Sequence, residues 1–306
     1  MSTQEPIDVV VVGAGPAGLA AAVALGRSLR NVTVIDAGQP RNRYAHAAHN
    51  VLGQEGISPA ELLEKGRAEA RSYGVDIASG RVAKVERAGS AFAITLDDAS
   101  ILHSRRIILA HGAVDNLSEV GGLSDFWGTK VLHCAYCHGF EARGSDIIVL
   151  GTSPMAAHQA LMFSQLSKNV RLVGKIEIDA QTSARLGSAG VEVVGDNVVR
   201  VSAAGDGLSV ELAEGDRLNC DNIVVVSKPM VDDALFTQLG GAMEENPMGR
   251  FIPASPSGRT SIEGVWAAGN AQASTAMVYG SATQGVMAGA EVNFDLILDD
   301  LEAQEQ

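Results

Sequence analysis

The sequence is poor in basic residues, in aromatic residues and in cysteine, and it has no long apolar run. Its 23 lysines and arginines are outnumbered by 36 aspartates and glutamates, which gives a net charge of −13. Nucleic-acid binding needs a basic face for the phosphates, so this balance argues against nucleic acid as a partner. No segment has the length of uninterrupted apolar sequence that crosses a bilayer, so no membrane partner is expected. Residues 1–6 lack the basic start and cleavage site of a signal peptide, so we expect a cytoplasmic protein.

Apolar residues and glycine are abundant. Of the 306 residues, 46% are apolar and 34 are glycine, which is enough to bury a large core. A chain of this length often forms more than one domain, and we expect two. This composition fits a soluble enzyme.

The first recognisable motif is a glycine-rich turn near the N-terminus. A strand-like run, Val9–Val12, leads into Gly13-Ala14-Gly15-Pro16-Ala17-Gly18; a helix and a second strand ending in Asp36 follow. In a dinucleotide-binding βαβ unit, the three glycines make the tight turn, admit the pyrophosphate and let the helix pack closely on the strand. The phosphates bind at the helix N-terminus, and the acidic residue accepts a hydrogen bond from a ribose hydroxyl. The sequence therefore predicts dinucleotide binding here; the alternative is a glycine-rich turn in an unrelated α/β protein.

This motif occurs a second time in the chain. Asp8–Gly18 recurs as Asp146–Ala156 at an offset of 138 residues, and the strand after it recurs at the same offset. In the second copy Ser153 replaces the glycine that admits the phosphate, and Gly174 replaces the acidic residue. Lys175 is the one nearby residue that could offer a positive charge to a 2′-phosphate. The second copy is predicted to keep the dinucleotide fold and to have an impaired nucleotide site.

The remaining segments predict ordinary α/β elements. Residues 58–73 have helical spacing, residues 82–96 alternate as a β-hairpin or meander, and residues 107–110 form a buried strand. Near the C-terminus, residues 283–298 predict a helix rich in glycine and alanine, and the acidic tail 299–306 is expected to fray.

Two of the three cysteines lie two residues apart, in His133-Cys134-Ala135-Tyr136-Cys137-His138. Thiols at that spacing can close and reopen a small disulfide ring, and so exchange two electrons with a thiol substrate. A zinc half-site, a c-type haem attachment site and an inert buried pair are the alternatives. Redox chemistry is favoured, because the sequence has no second cysteine or histidine pair for zinc and no export signal for haem. The third cysteine, Cys220, lies in a strand-like run and is predicted to be a core thiol.

The order of these motifs resembles that of the low-molecular-weight thioredoxin reductases over nearly the whole chain. The matching features are the N-terminal glycine turn, the crossover Ala110–Ala113, the cysteine pair before the second fold, and Ala267–Asn270. The resemblance implies the α/β class, with two Rossmann-like (FAD- and NAD(P)-binding) βαβ domains. It implies an FAD-binding domain in two parts, 1–115 and 243–306, around a degenerate NAD(P)H-like domain, 116–242, that carries the cysteines.

Finer details resemble one branch of that family, the dithiol oxidases that close the disulfides of gliotoxin, holomycin and romidepsin. These details are Cys134–Glu141, Asp36–Asn42 and His49-Asn50. His138 stands where the reductases have an aspartate, and the second nucleotide site is damaged; both departures favour the oxidases. The resemblance implies an FAD-dependent oxidase of a small-molecule dithiol, as in antibiotic biosynthesis, with oxygen as acceptor and hydrogen peroxide as product. An NAD(P)H-dependent thioredoxin or disulfide reductase that uses Lys175, and a non-enzymatic flavoprotein redox sensor, stay open as alternatives.

The same resemblance assigns roles around the cysteines. Cys134 is the outer thiol that exchanges with the substrate, and Cys137 is the inner thiol that faces the flavin. The exchange needs a base for the attacking thiol and an acid for the leaving thiol, and an imidazole titrates in the right range for both. His138 is the first candidate and His133 the second. The resemblance also implies a homodimer, and no metal is expected.

The FAD contacts are likewise carried over position by position. They are Gly13, Ala14, Gly15, Pro16, Ala17, Gly18, Asp36, Ala37, Gly38, Gln39, Arg41, His49, Asn50, Val82, Ala113, Gly269, Asn270, Met277 and Val278. Asn270 departs from the aspartate that the reductases have there. Four large side chains near the cysteines suggest a small, partly apolar or aromatic substrate, or else belong to the core: Phe126, Trp127, Tyr136 and Phe140.

Overall fold

The structure, a computed structural model, describes residues 7–305. The predictions for residues 1–6 and for Gln306 lie outside these described residues. The chain forms two compact units. The first contains the described residues up to Arg43, Pro59–Asp115 and the residues from Pro229 onward; the second contains Tyr44–Ser58 and Asn116–Lys228.

Helices and strands alternate along much of the chain. The helices are α1 (Pro16–Arg27), α2 (Pro59–Ser72), α3 (Ala135–His138), α4 (Ala156–Ser164), α5 (Ala180–Ser188), α6 (Ala234–Gln238) and α7 (Val278–Gln304). The first strands are β1 (Ile7–Val12), β2 (Val32–Asp36), β3 (Asp76–Ser79), β4 (Val82–Ala88), β5 (Ala91–Leu96), β6 (Ile101–Leu109), β7 (Val114–Asn116), β8 (Val131–Leu132), β9 (Ile147–Leu150) and β10 (Val170–Val173). The later strands are β11 (Glu192–Val194), β12 (Val198–Ala204), β13 (Gly207–Leu212), β14 (Arg217–Cys220), β15 (Asn222–Val224), β16 (Lys228–Met230), β17 (Glu244–Asn246), β18 (Gly249–Phe251) and β19 (Val265–Ala267).

The first unit is built on one large sheet with a core on each face. The strand order is β3-β2-β1-β6-β5-β4, and β19 pairs with the other side of β6 along part of its length. Val9 and Val11 of β1 pack in a core with residues of α1 and α7. Val10 and Val12 pack in a second core with residues of the β4–β5 hairpin. Because both faces of β1 are covered, the strand is apolar throughout rather than alternating. A smaller sheet has the order β17-β18-β16-β7.

The glycines of α7 allow it to pack closely on α1. A Cβ added to Gly289 would lie 2.9 Å from the carbonyl oxygen of Ala21, and one added to Gly285 would collide with the carbonyl group of Ala17. The glycine-rich composition of this helix therefore follows from close backbone contact with α1, at the usual cost of glycine in a helix.

The second unit has two sheets of its own. A parallel sheet has the order β11-β10-β9-β15-β8, and an antiparallel sheet has the order β12-β13-β14. Ile147 and Val149 pack on the α4 side of the parallel sheet, whereas Ile148 and Leu150 pack on the side of the antiparallel sheet.

The predicted repeat is present with the same strand register in both units. In the first unit Val9 pairs with Val32, and in the second Ile147 pairs with Val170, which are the same positions after the offset of 138 residues. The two copies therefore share the fold predicted for them. The α/β class with two Rossmann-like units is confirmed.

The limits of the two units differ from the predicted ranges in two places. The second unit ends at Lys228 rather than at 242, because Val231, Leu235 and Phe236 pack in a core of the first unit. Residues 44–58 group with the second unit although they lie within the range 1–115. This short segment has no apolar periodicity from which its packing in the second unit could have been predicted.

The prediction of a frayed C-terminal tail is wrong for the described part of the tail. α7 continues to Gln304 because its acidic end is paired with arginines of the first unit: Arg105 lies 2.8 Å from Asp299, and Arg30 lies 2.7 Å from Asp300. Within residues 7–305 no helix, α7 included, combines the length and the apolar character needed to span a membrane.

Candidate active site

The cysteine motif follows the end of β8 in the second unit. β8 pairs in parallel with β15, and the chain turns from it into the one-turn helix α3. Cys134 and Cys137 form a disulfide with their Cα atoms 5.2 Å apart. The amide of Cys137 donates a hydrogen bond to the carbonyl of Cys134 at 3.2 Å, so the helical turn holds the two side chains together. The residues predicted to form a redox pair therefore do meet.

His138 at the end of α3 has an imidazole with no hydrogen-bond partner. Both ring nitrogens are buried, and neither bonds to any residue in the range 7–305. Burial lowers the pKa of His138 below its ordinary value, and His49 lowers it further, whereas Glu141 raises it. A neutral imidazole with an open nitrogen beside a disulfide can accept the proton of an attacking thiol.

His133, the second candidate, is held more firmly than His138. Its ring lies against the ring of Trp127 with the centroids 5.5 Å apart. Its carbonyl accepts a hydrogen bond from Nε2 of Gln159 on α4 at 2.6 Å. These contacts fix the residue that precedes Cys134, which makes a positioning role for His133 the simpler one.

Residues 44–58 lie against the cysteine motif within the second unit. The side-chain amide of Asn50 donates to the carbonyl of Tyr136 at 2.7 Å. His49 lies with Nδ1 2.8 Å from Glu55 and Nε2 3.6 Å from Glu141. The side chains of His49 and Asn50 are thus engaged by protein groups of the second unit, and their contact with FAD stays a prediction. Glu55 was missed, because a carboxylate in a loop carries no sequence signal.

The glycine turn of the first unit has the geometry that a dinucleotide needs. Gly13 has φ +102°, and a Cβ there would lie 2.6 Å from the carbonyl oxygen of Ala110. A Cβ on Gly18 would collide with the carbonyl of Gly13, whereas one on Gly15 would meet nothing within 4 Å. Gly15 is also the N-cap of α1 and makes no side-chain capping bond, so the first amides of the helix are available to an anion. Ala14, Pro16 and Ala17 complete this turn.

Asp36 ends β2 as predicted and is already bound to protein groups. Its carboxylate accepts hydrogen bonds from the amides of Ala14 at 3.3 Å and Gly38 at 3.2 Å. The other oxygen pairs with Arg67 of α2 at 2.8 Å, a partner that the sequence did not reveal. Asp36 is therefore fixed next to the glycine turn, and Ala37, Gly38 and Gln39 form an exposed loop after it.

Arg41 was predicted to reach a phosphate, and its guanidinium is bound to three parts of the first unit. It pairs with Asp115 at 2.5 Å, and the Asp115 side chain is only 6% exposed. It also donates to Oδ1 of Asn270 at 3.3 Å and to the carbonyl of Ser274 at 2.8 Å. Arg41 therefore fastens the loop after β2 to the loop before α7, and its contact with FAD stays a prediction.

The contacts of Asn270 account for the asparagine that stands here in place of the aspartate of the reductases. Its Nδ2 lies within 3.2 Å of the carbonyl oxygens of Ala273, Ser274 and Ala276. An aspartate has no N–H to donate and could not hold the loop in this way. The amide is therefore what the loop before α7 requires at that position.

The other predicted FAD residues also lie in the first unit. Val82 begins β4 and Ala113 follows β6, and both are buried. Gly269 packs on the first turn of α1, where a Cβ would lie 2.7 Å from Cβ of Ala17. Met277 is the N-cap of α7 and Val278 its first residue.

His111 supplies an independent sign that a ligand belongs in the first unit. Its Nε2 lies 3.1 Å from the carbonyl oxygen of Asp232, so Nε2–H donates and Nδ1 is left as an acceptor. Nδ1 is buried and bonds to no residue within 7–305. A Cβ on Gly13 would lie 3.0 Å from Cα of His111, so this open acceptor belongs to the residue that packs on the dinucleotide turn. Buried acceptors are normally satisfied by protein, ordered water or a ligand, so an open acceptor beside the dinucleotide turn fits a bound FAD.

In the second glycine turn, the positions equivalent to the predicted nucleotide contacts make contacts within the protein. Ser153 accepts the amide of Met155 at 3.3 Å, and the helix begins only at Ala156. A Cβ on Gly174 would lie 2.6 Å from Cα of Gly151, so the chain leaves no room for a carboxylate. Lys175 is 3.0 Å from Glu214 and 3.7 Å from Asp196, which raise the pKa of Lys175 and occupy its charge. The positions equivalent to the predicted nucleotide contacts of the first unit therefore serve other contacts in the second.

The four large side chains near the cysteines separate into two pairs. Phe126 and Trp127 pack against a core of the second unit. Tyr136 and Phe140 are 73% and 65% exposed, and Arg143 lies over the ring of Phe140 at 4.0 Å. Tyr136 and Phe140 are therefore available to a substrate next to the disulfide.

Cys220 is a core thiol, as predicted. It is buried in β14, and burial raises the pKa of Cys220 to about 12, so it is not a thiolate near neutral pH. Among residues 7–305 there is no cluster of three or more histidine, cysteine, aspartate or glutamate side chains that could hold a metal ion.

Comparison with models of protein families identifies a family that has this combination of folds and cysteines. The model for pyridine nucleotide-disulphide oxidoreductases matches residues 7–289. The chain belongs to the pyridine nucleotide-disulphide oxidoreductase family. The predicted resemblance to thioredoxin-reductase-like flavoenzymes is confirmed, and the cofactor of this family member is FAD.

Individual relatives match this chain over almost its full length. Thioredoxin reductase tcpT of Claviceps purpurea is 30% identical over 98% of this chain and 97% of its own. Thioredoxin reductase sirT of Leptosphaeria maculans is 30% identical over 98% of this chain and 97% of its own. The crystal structure of HlmI is 37% identical with a TM-score of 0.92, covering 99% of this chain and 96% of that one. The family member is therefore a flavin oxidoreductase that acts on thiol and disulfide groups.

Proposed function

We propose that the protein is an FAD-dependent dithiol oxidase. It closes an intramolecular disulfide in a small-molecule dithiol of the natural-product type, as in antibiotic biosynthesis, and uses oxygen as acceptor to give hydrogen peroxide. The Cys134–Cys137 disulfide is the relay through which the substrate is oxidised.

The observation that carries the proposal is the state of the second dinucleotide fold. A reductase needs a nicotinamide nucleotide as its source of electrons, and the groups that would hold one are engaged otherwise. Lys175 is paired with Glu214 and Asp196, and Gly174 is packed on Gly151. The dithiol relay in the same unit is complete. An intact relay without a nucleotide site favours electrons that enter from a thiol.

The residues around the disulfide support the chemistry of exchange. His138 accepts the proton of the first substrate thiol, and the resulting thiolate attacks Sγ of Cys134. The Cys134–Cys137 bond breaks, a mixed disulfide forms, and Cys137 leaves as a thiolate. The second substrate thiolate then attacks the substrate sulfur of the mixed disulfide and releases Cys134. Tyr136 and Phe140 beside the disulfide favour a substrate with apolar or aromatic parts.

The first unit holds the cofactor. The amides at the start of α1 would bind its pyrophosphate, Asp36 would meet its ribose, and Nδ1 of His111 would accept a hydrogen bond from it. When bound, FAD supplies a two-electron acceptor for the reduced cysteine pair and a route from there to oxygen.

Oxygen uptake with dithiothreitol as the dithiol tests the proposal. We expect uptake that requires no NADPH, yields hydrogen peroxide and falls to background in Cys137→Ser. Cys220→Ser is the matched control and should leave uptake unchanged, because that thiol is buried in the core. Absence of thiol-dependent uptake in the wild type would contradict the proposal and favour a flavoprotein redox sensor.

An NAD(P)H-dependent disulfide reductase is the second candidate. Two relatives named as thioredoxin reductases, tcpT and sirT, are each 30% identical to this chain and favour it. Anaerobic mixing with NADPH separates the two, because a reductase bleaches the flavin absorbance rapidly. We expect no bleaching with NADPH and bleaching with dithiothreitol.

The proposal includes a homodimer in the cytoplasm. An exposed apolar face on α7 supports the dimer: Phe294 is 61% exposed, Leu298 46% and Leu301 52%. A face of this kind favours association with a second chain. Sedimentation should show a dimer that Phe294→Glu weakens; a wild-type monomer would contradict this part. The cytoplasm is the compartment in which thiol substrates stay reduced.

A further inference from the structure

Residues 44–58 form a compact support beside the disulfide. A bridge between Ala48 and Ile57 closes the segment, and Val51 between them is buried. Asn50 adopts φ +59°, a left-handed conformation that asparagine tolerates, and its amide is fastened to the carbonyl of Tyr136. This arrangement places the neighbouring side chain, His49, next to the cysteine motif.

His49 and Glu55 form a hydrogen-bonded pair within that segment. Nδ1 of His49 lies 2.8 Å from Oε1 of Glu55, so Nδ1–H donates and Nε2 is the acceptor nitrogen. The hydrogen bond from His49 lowers the pKa of Glu55, so Glu55 is ionised near neutral pH. Oε2 of Glu55 also accepts the amide of Val51 at 3.4 Å, which fixes the carboxylate. An ionised carboxylate behind an imidazole orients the ring and stabilises its protonated form.

Proton balance leaves a role for a second histidine. Closing one substrate disulfide releases two protons, one from each thiol, while the enzyme disulfide gains two electrons and becomes two thiolates. A neutral imidazole accepts only one proton. His138 can take the first, and when it keeps that proton while Cys137 stays a thiolate, a second imidazole takes the other.

We propose that His49, held by Glu55, is the second proton acceptor of dithiol exchange. This rests on the proposed function. The first proton goes to His138 as the mixed disulfide forms on Cys134. The second goes to Nε2 of His49 from the other substrate thiol, which then attacks the substrate sulfur of the mixed disulfide and expels Cys134 as a thiolate. His49 is thereby a catalytic residue of the second step, and Glu55 is its positioning residue.

Other titratable groups near the motif are less suited to this task. Glu141 lies 3.6 Å from Nε2 of His49 and stabilises the proton once it is there. His133 is stacked on Trp127, and Arg143 lies over Phe140. His158 on α4, which packs on α3, is exposed to solvent.

Anaerobic single-turnover experiments with dithiothreitol separate the two steps. The oxidised protein is mixed with the dithiol, quenched with an alkylating agent, and the mixed disulfide and reduced pair are quantified by mass spectrometry. General-base catalysis contributes about 10²-fold or more. We therefore expect His49→Asn to form the mixed disulfide within about twofold of the wild-type rate and to resolve it about 10²-fold more slowly. The mixed disulfide should accumulate.

Glu55→Gln and His46→Asn make the test specific. Glu55→Gln should slow the same step less and move its pH profile, because the imidazole loses its anionic partner. His46→Asn is the matched control in the same segment, since His46 is exposed, and it should behave as the wild type. If His49→Asn does not fold, Glu55→Gln carries the test. With mercaptoethanol, which has one thiol, the first step should be unaffected in all three variants.

The outcomes distinguish the proposed role of His49 from the proposed dithiol oxidase function on which it rests. Resolution at the wild-type rate in both His49→Asn and Glu55→Gln overturns the role of His49 and leaves the dithiol oxidase intact. Failure of the wild-type disulfide to react with any thiol overturns both. Slowing of the first step instead of the second also overturns the assignment of His49.

Discussion

The two dinucleotide folds of this chain have the same strand register and different uses. In the first, Gly13 turns the chain and Gly15 leaves open space at the start of α1. In the second, Ser153 closes the equivalent turn with its side chain, and Gly174 packs on Gly151. The comparison shows that strand pairing and core packing maintain the fold, whereas nucleotide binding depends on a few positions that can change without loss of the fold.

The largest expected effect comes from making the first fold resemble the second. Gly15→Ser places a side chain where the pyrophosphate approaches the backbone, so a charge-assisted hydrogen bond to phosphate is lost. Such a bond contributes about 1.5–3 kcal/mol, which corresponds to roughly 10- to 150-fold weaker FAD binding. Flavin fluorescence titration of the apoprotein measures this. Ser153→Gly is the matched change in the second fold; it should leave FAD affinity unchanged and should not create NADPH binding. FAD affinity unaltered in Gly15→Ser would contradict the assignment of this turn.

The reverse change tests whether the second fold can regain its carboxylate. Gly174→Asp brings a Cβ to within 2.6 Å of Cα of Gly151, so the ends of β9 and β10 must separate. Overpacking of this kind costs about 1–3 kcal/mol of folding free energy. Thermal unfolding should show the loss, and calorimetry should show no gain of NADH binding, which is the nucleotide that a carboxylate at this position would suit. Gly187→Asp, at a glycine with open space around it, is the control. A stable Gly174→Asp variant that binds NADH, whose ribose hydroxyl a carboxylate can accept from, would show that a carboxylate is all the second fold lacks.

A comparable effect is expected at Asn270, which lies in the first unit but outside the repeat. Asn270→Asp removes the donor that holds three carbonyl oxygens, and we expect a loss of about 1–3 kcal/mol. Thermal unfolding and proteolysis of the loop before α7 measure this. Asn293→Asp is the matched control, because Asn293 uses its oxygen to accept from Arg30, and an aspartate keeps that bond. Equal stability of the two variants would contradict the role given to the Asn270 amide.

The smallest effect concerns pH, since each unit contains one histidine with a lowered pKa. Burial is the main cause at both His111 and His138, so the folded protein favours their neutral forms. The unfolded chain binds more protons, so stability falls as pH drops below 6.5 towards the lowered values. For one histidine such as His111 the slope is at most about 1.4 kcal/mol per pH unit. Melting temperatures between pH 7 and pH 5 should fall less in His111→Asn than in the wild type; parallel curves would contradict this.

The rate of exchange between the disulfide and a dithiol should also fall as the pH is lowered. His138 acts as a base only when neutral, so a pKa below 6.5 places the acidic limb of the exchange rate below that pH. His138→Asn should remove this limb while lowering the rate. A limb above pH 6.5 would indicate that another group is the base.

The sequence predicted the fold well because its strongest signals are local. The apolar runs of β1 and β9, the glycine turns and the common offset of 138 residues are all visible without contacts between distant residues. The Cys134–Cys137 pair is visible for the same reason. The limits of α7 were harder to predict, because the ion pairs of Asp299 and Asp300 with distant arginines extend it.

Much of the candidate site could not be predicted, because it depends on pairs far apart in sequence. Arg67 reaches Asp36 across 31 residues, and Asp115 reaches Arg41 across 74. Glu55 is close to His49 in sequence. Its proposed role nevertheless depends on the packing of residues 44–58 beside the cysteine motif, which the sequence does not show. Single charged residues in loops have no periodicity, so only the fold reveals their partners.

The discontinuous first unit has a consequence for how the protein is made. Its sheet needs β19, and α1 needs α7 to cover it, and both are among the last segments to leave the ribosome. Residues 116–228 of the second unit are complete well before them. Chains emerge from the N-terminus at about 5–20 residues per second, so the second unit is synthesised while the first still lacks a strand and a helix. On the proposed assignment of FAD to the first unit, we expect flavin to bind only after these segments are made, so a chain truncated before β19 should carry the cysteine unit but no flavin.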